Sequence, residues 1–119
     1  MDARQLGIYG ELVAARYLRR HGYEILQTNF HSRYGEIDLI ARYKETVVFV
    51  EVKTRDSTAI ARPMEAVNYV KQQKIKSTSL LYLSRFEQEV NVRYDVIEVI
   101  AVTSGDKKVK MHHITNACE

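Results

Sequence analysis

The strongest pattern of hydrophobic and polar positions in the chain lies between residues 35 and 54. An apolar-rich run at residues 37–43 is followed by a polar tip, Lys44 and Glu45, and then by a β-branched run at residues 46–52. Runs of this composition are typical of β-strands, and a short polar connection favours antiparallel pairing. The pattern therefore predicts a β-hairpin at the centre of the chain.

The register of this hairpin places charged residues together. A loop centred on the tip sets Asp38 opposite Glu51 and Glu36 opposite Lys53, all on one face. The alternate residues form a plain core face on the other side: Ile37, Leu39, Val48, Val50 and Val52. Opposed residues have Cβ atoms about 4.5–5.5 Å apart, and like charges at that distance destabilise a sheet. We therefore expect a cation between Asp38 and Glu51.

Apolar neighbours bear on whether the charged face is buried. Many strands carry charges on a solvated face, and acids in that setting need no cation. Ile40 and Phe49, which the register sets opposite each other, lie on the same face as the acids. Such a face is expected to be covered, and buried carboxylates must be paired or bound to metal. The apolar neighbours therefore favour a metal site over a solvated face.

The remaining pattern predicts helices and strands on both sides of the hairpin. They are, in chain order, a helix at residues 6–20, a strand at 23–30, a helix from Pro63 to about residue 85, and strands at 91–102 and 108–114. A polar loop is expected at residues 55–62, beside the charged face. This order predicts a single α/β domain, residues 1–119, in which helices flank a mixed sheet of about five strands.

Glu11 lies on the inner edge of the first predicted helix. It shares a stripe with Ala14, Ala15 and Leu18, so it is expected to face the sheet. An exposed acid, or an ion pair with a nearby arginine, fits the same spacing. The helical pattern does not choose between these alternatives.

Composition narrows the class of protein. The chain has 119 residues, of which 45% are hydrophobic, and a single cysteine, Cys118, so an internal disulfide is excluded and a reducing compartment is favoured. No apolar stretch suits a membrane span or a signal core, and we expect a cytoplasmic protein. The net charge of +3 favours a polyanionic partner only weakly.

The hairpin residues carry a resemblance to a known family. The segments GEIDLIA at residues 35–41 and FVEVKTR at residues 49–55 resemble the signature of the YraN-like family. That family is placed in the PD-(D/E)XK nuclease superfamily, beside archaeal Holliday-junction resolvases. The similarity extends from Gly10 and Glu11 to residues 93–96. This chain departs from the family at Asn29-Phe30-His31, where an arginine usually follows the asparagine.

The resemblance implies a fold and a set of site residues. The motif aspartate corresponds to Asp38, and the (D/E)XK element corresponds to Glu51, Val52 and Lys53. Glu11 matches an acid on a helix that reaches the metal in several resolvase-like nucleases. The implied fold has a restriction-endonuclease-like core, and the implied activity is metal-dependent hydrolysis of DNA phosphodiester bonds by an endonuclease.

These residue types suit that chemistry. Asp38 and Glu51 offer hard oxygen ligands for Mg²⁺ or Mn²⁺, and the backbone carbonyl of Val52 offers another. Lys53 lies two residues from Glu51 on the same face, where it is expected to orient or deprotonate the attacking water and to stabilise charge in the transition state. Glu36, opposite Lys53, is expected to hold that lysine in place.

Two other classes of function stay open. One is a nucleic-acid-binding module without turnover, and the other is a protein-interaction domain that keeps the hairpin for folding. The intact set of Asp38, Glu51 and Lys53 favours an enzyme, because binding alone does not need a water-activating lysine beside a metal. Resemblance to junction resolvases further implies branched DNA as the partner and a homodimer as the assembly.

Other charged side chains receive weaker interpretations. Lys71 fits either a position near the scissile phosphate or a solvated helix face. His31, in a predicted turn, is left out of the site. Arg93 and Asp95 are expected to form a structural ion pair.

Overall fold

The computed structural model describes residues 2–56, 69–101 and 109–117, which form two helices and five strands. Their bounds are α1 Ala3–Arg20, β1 Glu24–Ser32, β2 Gly35–Tyr43, β3 Thr46–Asp56, α2 Tyr69–Leu83, β4 Asn91–Ala101 and β5 Lys110–Ile114. The predicted α/β class with a mixed five-stranded sheet is confirmed, and the arrangement is consistent with a restriction-endonuclease-like core.

The strands lie in the sheet in chain order, from β1 to β5. β3 and β4 are parallel, in a continuous register from Thr46–Asn91 to Asp56–Ala101, and the other neighbouring pairs are antiparallel. A parallel pair needs a crossover connection, and the chain between β3 and β4 includes α2. The hairpin β2–β3 therefore lies inside the sheet, with β1 and β5 at the edges.

Each face of the sheet has its own helix and its own apolar cluster. On one face, Ala14, Ala15 and Leu18 of α1 cover a set of buried strand residues: Leu39, Val48, Val50, Ile97 and Val99. On the other face, Tyr82 of α2 packs with Ile37, Ile40, Val47 and Phe49. The predicted placement of Ile37 beside Leu39 is wrong. Ile37 and Ile40 are three residues apart and share a cluster, so the alternation of β2 is interrupted between them.

Small residues bring α1 close to β3. Gly10 is buried, and a Cβ atom added there would collide with Thr54, lying 2.8 Å from its Cβ and 2.9 Å from its Cγ2. The helix therefore contacts the sheet through the stripe that begins at Gly10 and continues through the alanines. Ile8 and Leu12, although apolar, are 49% and 66% exposed because they flank this stripe.

Several boundaries of strands in the structure differ from the predicted ones. His31 lies within β1 and not in a turn, because pairing with β2 continues to Ser32–Gly35. Arg55 lies within β3 and not in a loop, because the ladder with β4 continues to Asp56. The rest of the predicted loop and the predicted helix start at Pro63 lie outside the described residues.

α2 packs only through the side that carries Ile75, Thr78, Ser79 and Tyr82, so its apolar residues Val70 and Leu81 are 62% and 46% exposed. Within the described ranges, neither helix is long and apolar enough to cross a membrane.

Candidate active site

The hairpin pairs as predicted near its tip and opens at its other end. Tyr43 lies opposite Thr46 and Ile40 opposite Phe49, and the described ladder ends at Leu39–Val50. The predicted pairs Asp38–Glu51 and Glu36–Lys53 are absent from this ladder. Beyond it, Oδ2 of Asp38 accepts a hydrogen bond of 2.8 Å from the backbone N–H of Val52. The side chain of Asp38 thus accepts from a backbone N–H of β3 at the point where the backbone pairing of the hairpin stops.

Negative charge is concentrated around Asp38. Its pKa is raised to about 6, mainly by burial. The hydrogen bond from Val52 lowers the pKa, whereas the charges of Glu11, Glu51 and Glu36 raise it, in that order of size. Each of these acids makes a second charge less favourable at the same place. The folded chain therefore holds a carboxylate where its ionised form is disfavoured.

α1 and β1 contribute a second group to this end of the hairpin. Glu11 faces the sheet, which is one of the alternatives that its spacing left open, and its Oε2 accepts a hydrogen bond of 3.4 Å from Nδ2 of Asn29. Asn29 lies between the residues of β1 that pair with Ile37 and Leu39, so it is beside Asp38. Its φ of 50° is in the left-handed region, which asparagine tolerates better than most residues. Our sequence reasoning did not include Asn29 in the site.

A lysine from α2 completes the charge pattern. The carboxylate of Glu51, whose side chain is only 18% exposed, forms an ion pair with Nζ of Lys71. Of the two alternatives for Lys71, neither describes the contact fully: its side chain is 43% exposed, yet it is paired with Glu51. No sequence pattern predicts this contact, because it depends on where α2 packs against the sheet.

Lys53 lies on the same sheet face as Glu51, half-buried and beside Glu98 of the parallel strand. Glu36 does not hold it, contrary to our expectation. Glu36 instead contacts Nδ1 of His31 at 3.2 Å on the exposed rim, because the register of β1 and β2 sets these two residues opposite each other. Glu98 is 9% exposed, and its Oε2 has no hydrogen-bond partner among the described residues.

Glu36, Asp38, Glu51 and Lys71 line a cavity of about 190 Å³ between the open hairpin and α2, whereas Glu11 and Lys53 are not among the residues that line it. Carboxylates lie on its strand side and two lysines, Lys71 and Lys74, lie on its helix side. Aromatic and aliphatic side chains complete the wall: Ile37, Phe49, Ile75, Tyr94 and Val96. The cavity thus combines an apolar wall with a few charged groups, which is the usual composition of a ligand site.

The donors fit a magnesium site of the kind that relies on substrate and water. Among the described residues, no group of three or more His, Cys, Asp or Glu side chains converges to hold a metal, so Glu11 does not complete a protein cage with Asp38 and Glu51. Mg²⁺ is usually held by one or two carboxylates and keeps several waters. Asp38 and Glu51 are the two carboxylates that could hold such an ion, and the ammonium group on Glu51 shows a cation at this position.

Comparisons with known proteins identify relatives along nearly the whole chain. The model of the uncharacterised protein family UPF0102 matches residues 10–99. The UPF0102 protein of Syntrophomonas wolfei is 46% identical over 117 residues, covering 96% of this chain and 97% of that protein. The UPF0102 protein of Alkaliphilus oremlandii is 48% identical with the same coverage. UPF0102 protein TTE1452 of Caldanaerobacter subterraneus is 45% identical, covering 98% and 97%.

Proposed function

The chain belongs to the protein family UPF0102, and we propose that it is a metal-dependent endonuclease that hydrolyses DNA phosphodiester bonds. The predicted YraN-like membership is confirmed by the family match. The observation that carries the proposal is the cavity at the open end of the hairpin, where Asp38 and Glu51 lie together and where burial, with the charges of Glu11 and Glu51, raises the pKa of Asp38 to about 6. A carboxylate in that environment gains from a divalent cation, and Lys53 follows Glu51 at the spacing of the nuclease motif.

Each residue has a distinct task in this proposal. Asp38 and Glu51, with the carbonyl of Val52, hold Mg²⁺ or Mn²⁺. When bound, the ion lowers the pKa of a water and offsets charge on the phosphate. Lys53 orients or deprotonates the attacking water and stabilises the charge that develops on the phosphoryl oxygens. Glu11 acts from α1 by adding to the negative potential at Asp38.

The ion pair between Lys71 and Glu51 supports a second candidate function. If Lys71 keeps its contact with Glu51 in solution, the site takes up no divalent cation, and the domain is a nucleic-acid-binding module without turnover. The enzyme proposal requires Lys71 to leave Glu51. Glu51 would then be available to hold the cation, and Lys71 would bind a phosphate of the substrate.

Cleavage assays test the enzyme directly. The purified protein is incubated with labelled single-stranded, linear duplex and four-way DNA in Mg²⁺, Mn²⁺ or EDTA, and we expect cleavage only with metal. Lys53→Ala should abolish cleavage, whereas Lys110→Ala on the exposed edge strand should retain it. Folded wild-type protein that cuts none of these DNAs with either metal would overturn the proposal.

Thermal denaturation separates metal binding from catalysis. A ligand that binds only the folded state stabilises it by about 2.7 kcal/mol at a hundred times its dissociation constant. Lys53→Ala should keep this response to Mn²⁺, because lysine is not a ligand, and Glu51→Gln should lose it. A response to Mn²⁺ without cleavage would favour the binding module. Absence of both metal and DNA binding would favour a protein-interaction domain.

The proposed partner is DNA, recognised through its backbone. We expect binding that is independent of sequence, weakens steeply with salt, and prefers branched to linear duplex, with two copies of the chain on one junction. Gel shifts and light scattering over a salt series measure these properties. Equal affinity of a strict monomer for linear and four-way DNA would contradict the junction and dimer part of the proposal.

A further inference from the structure

A second cleft opens beside the charged cavity, between the β1–β2 turn and the first turns of α2. Its volume is about 390 Å³. The residues that line it are Arg33, Tyr34, Tyr69, Val70, Gln73, Lys74 and Ser77. Lys74 also lines the cavity that contains Asp38 and Glu51, so the two depressions are adjacent.

The lining of this cleft combines aromatic rings with positive charge. Tyr34 and Tyr69 are 39% and 74% exposed. Arg33 and Lys74 supply two cations, and none of the described residues that line the cleft is acidic. The acids line only the neighbouring cavity. A polyanion that reaches Asp38 from the side of the cleft therefore crosses a positively charged surface first.

Tyr34 is held in place rather than left to rotate freely. Nη2 of Arg33 donates a hydrogen bond of 2.8 Å to its hydroxyl oxygen. The guanidinium carbon of Arg33 also lies 4.9 Å from the centre of its ring. A ring that is fixed by a cation loses less conformational entropy when a flat ligand stacks on it, so this arrangement is suited to binding.

We infer that the cleft binds unpaired nucleotides next to the scissile phosphate, with bases stacked on Tyr34 and Tyr69 and phosphates bound by Arg33 and Lys74. In a duplex, the faces of the bases are stacked on one another and only their edges are accessible in the grooves. Aromatic rings at the surface can stack only on bases that have left the duplex. The inference rests on the proposed function and specifies its substrate as DNA with a single-stranded segment at the cleavage point.

A tryptophan reporter tests the stacking. The chain contains no tryptophan, so Tyr34→Trp introduces a single fluorophore at the cleft. The variant is titrated with oligo-dT and with duplex of equal length in EDTA, where cleavage is absent. We expect saturable, salt-sensitive quenching by the single strand and little by the duplex. Unchanged fluorescence while anisotropy of labelled oligo-dT reports binding would overturn the inference, as would equal quenching by both DNAs.

Affinity measurements on the natural residues provide a second test. Tyr34→Leu and Tyr69→Leu should each weaken binding of oligo-dT about tenfold, because stacking on one base is lost. Leu80→Ala is the matched control, since Leu80 is 66% exposed on the same helix and does not line the cleft. Affinities that fall as much in the control as in the tyrosine variants would contradict a specific cleft.

The two tests separate this inference from the proposed function. Stacking on the Tyr34→Trp reporter without any cleavage by the wild-type chain would leave the binding cleft intact and reject the enzyme. Metal-dependent cleavage that is unaffected by both tyrosine variants, without quenching of the reporter, would reject the cleft and leave the enzyme. Light scattering that shows a dimer disrupted by Tyr69→Leu would assign the cleft to a second copy and overturn the inference.

Discussion

Asp38 is the residue at which stability and the proposed function oppose each other. Its raised pKa means that the folded state disfavours the ionised carboxylate, mainly because the side chain is buried. Such a group adds stability below its unfolded pKa, and this contribution is lost as the pH rises through about 6. At neutral pH the ionised Asp38 therefore lowers the stability of the folded state, and a bound cation would reduce this loss.

Asp38→Asn should raise the melting temperature in EDTA at pH 8. The amide removes the disfavoured charge, and its oxygen can still accept from the N–H of Val52, so we expect a gain on the order of 1–3 kcal/mol. The gain should shrink towards pH 4, where the wild-type carboxyl is protonated. Glu45→Gln, at the exposed tip, should have no such effect. A melting temperature at pH 8 that is unchanged or lowered would show that the acids do not strain the fold.

The sequence identified the acids of the site but not their partners. Period and register set Asp38 opposite Glu51, and the family resemblance adds Glu11, whose charge also acts on Asp38. Register predicts neighbours only as long as the ladder continues, and it ends at Leu39–Val50. The contact of Glu36 with His31 belongs to the β1–β2 ladder, which continues past the predicted end of the first strand. The contact of Glu51 with Lys71 depends on where α2 packs, so the register of the hairpin predicts neither contact.

At the scale of elements, the distance between α1 and β3 depends on one glycine. Gly10 leaves no room for a Cβ, and rotation of Thr54 cannot relieve the contact because the Cβ of Thr54 is itself 2.8 Å away. Glu11 follows directly in the helix, so the close approach at Gly10 also sets how near this acid lies to Asp38.

Gly10→Ala should destabilise the fold by roughly 1–3 kcal/mol, because the helix must move away from β3. The displaced Glu11 should also weaken the dependence of stability on Mn²⁺. Gly7→Ala is the matched control in the same helix, because no atom lies within 4 Å of an added Cβ there. It should stabilise by up to about 1 kcal/mol through helix propensity. Chemical denaturation of both variants measures the contrast, and equal effects would refute the close-contact explanation.

Element type was more predictable than element packing. The hairpin, α1 and the long strand β4 follow from local periodicity, and each lies close to its predicted bounds. The buried side of α2 did not follow, because Val70 and Leu81 fit an apolar stripe yet remain exposed. A helical stripe shows which residues share a side, and only the area that the sheet offers decides how much of that side is covered.

At the scale of the molecule, a buried network around Asp95 joins distant parts of the chain. Asp95 is 2% exposed and accepts hydrogen bonds from Arg93 at 2.7 and 2.9 Å, from Nε2 of His113 at 2.7 Å and from the N–H of Asn116 at 3.1 Å. Arg93 also donates to the hydroxyl of Tyr23 on the chain before β1, and Nδ1 of His113 lies 3.0 Å from the hydroxyl of Tyr17 on α1. The predicted Arg93–Asp95 ion pair is confirmed.

Asp95→Asn should cost roughly 3–5 kcal/mol at neutral pH, because Arg93 would keep a buried charge without its partner. Burial alone would raise the pKa of Asp95, but the hydrogen bonds from His113, Arg93 and Asn116 outweigh it and lower the pKa. Its contribution is therefore present above the unfolded pKa and lost as the pH falls through the lower folded value. Acid titrations of stability should be steeper for the wild type than for the variant, with Glu24→Gln as an exposed control. Parallel curves would place the acid sensitivity elsewhere.

The parallel pairing of β3 with β4 also constrains the order in which the chain can fold. The strands from β1 to β3 are joined by tight turns, so their ladders close over short stretches of chain and cost little loop entropy. Thr46 pairs with Asn91, and this contact requires the whole crossover that contains α2 to be in place. Such non-local closures are slow steps in folding. A nascent chain therefore has the hairpin, with Asp38 and Glu51, before it has Lys71 against Glu51, and the cavity between the hairpin and α2 forms only in a later stage of folding.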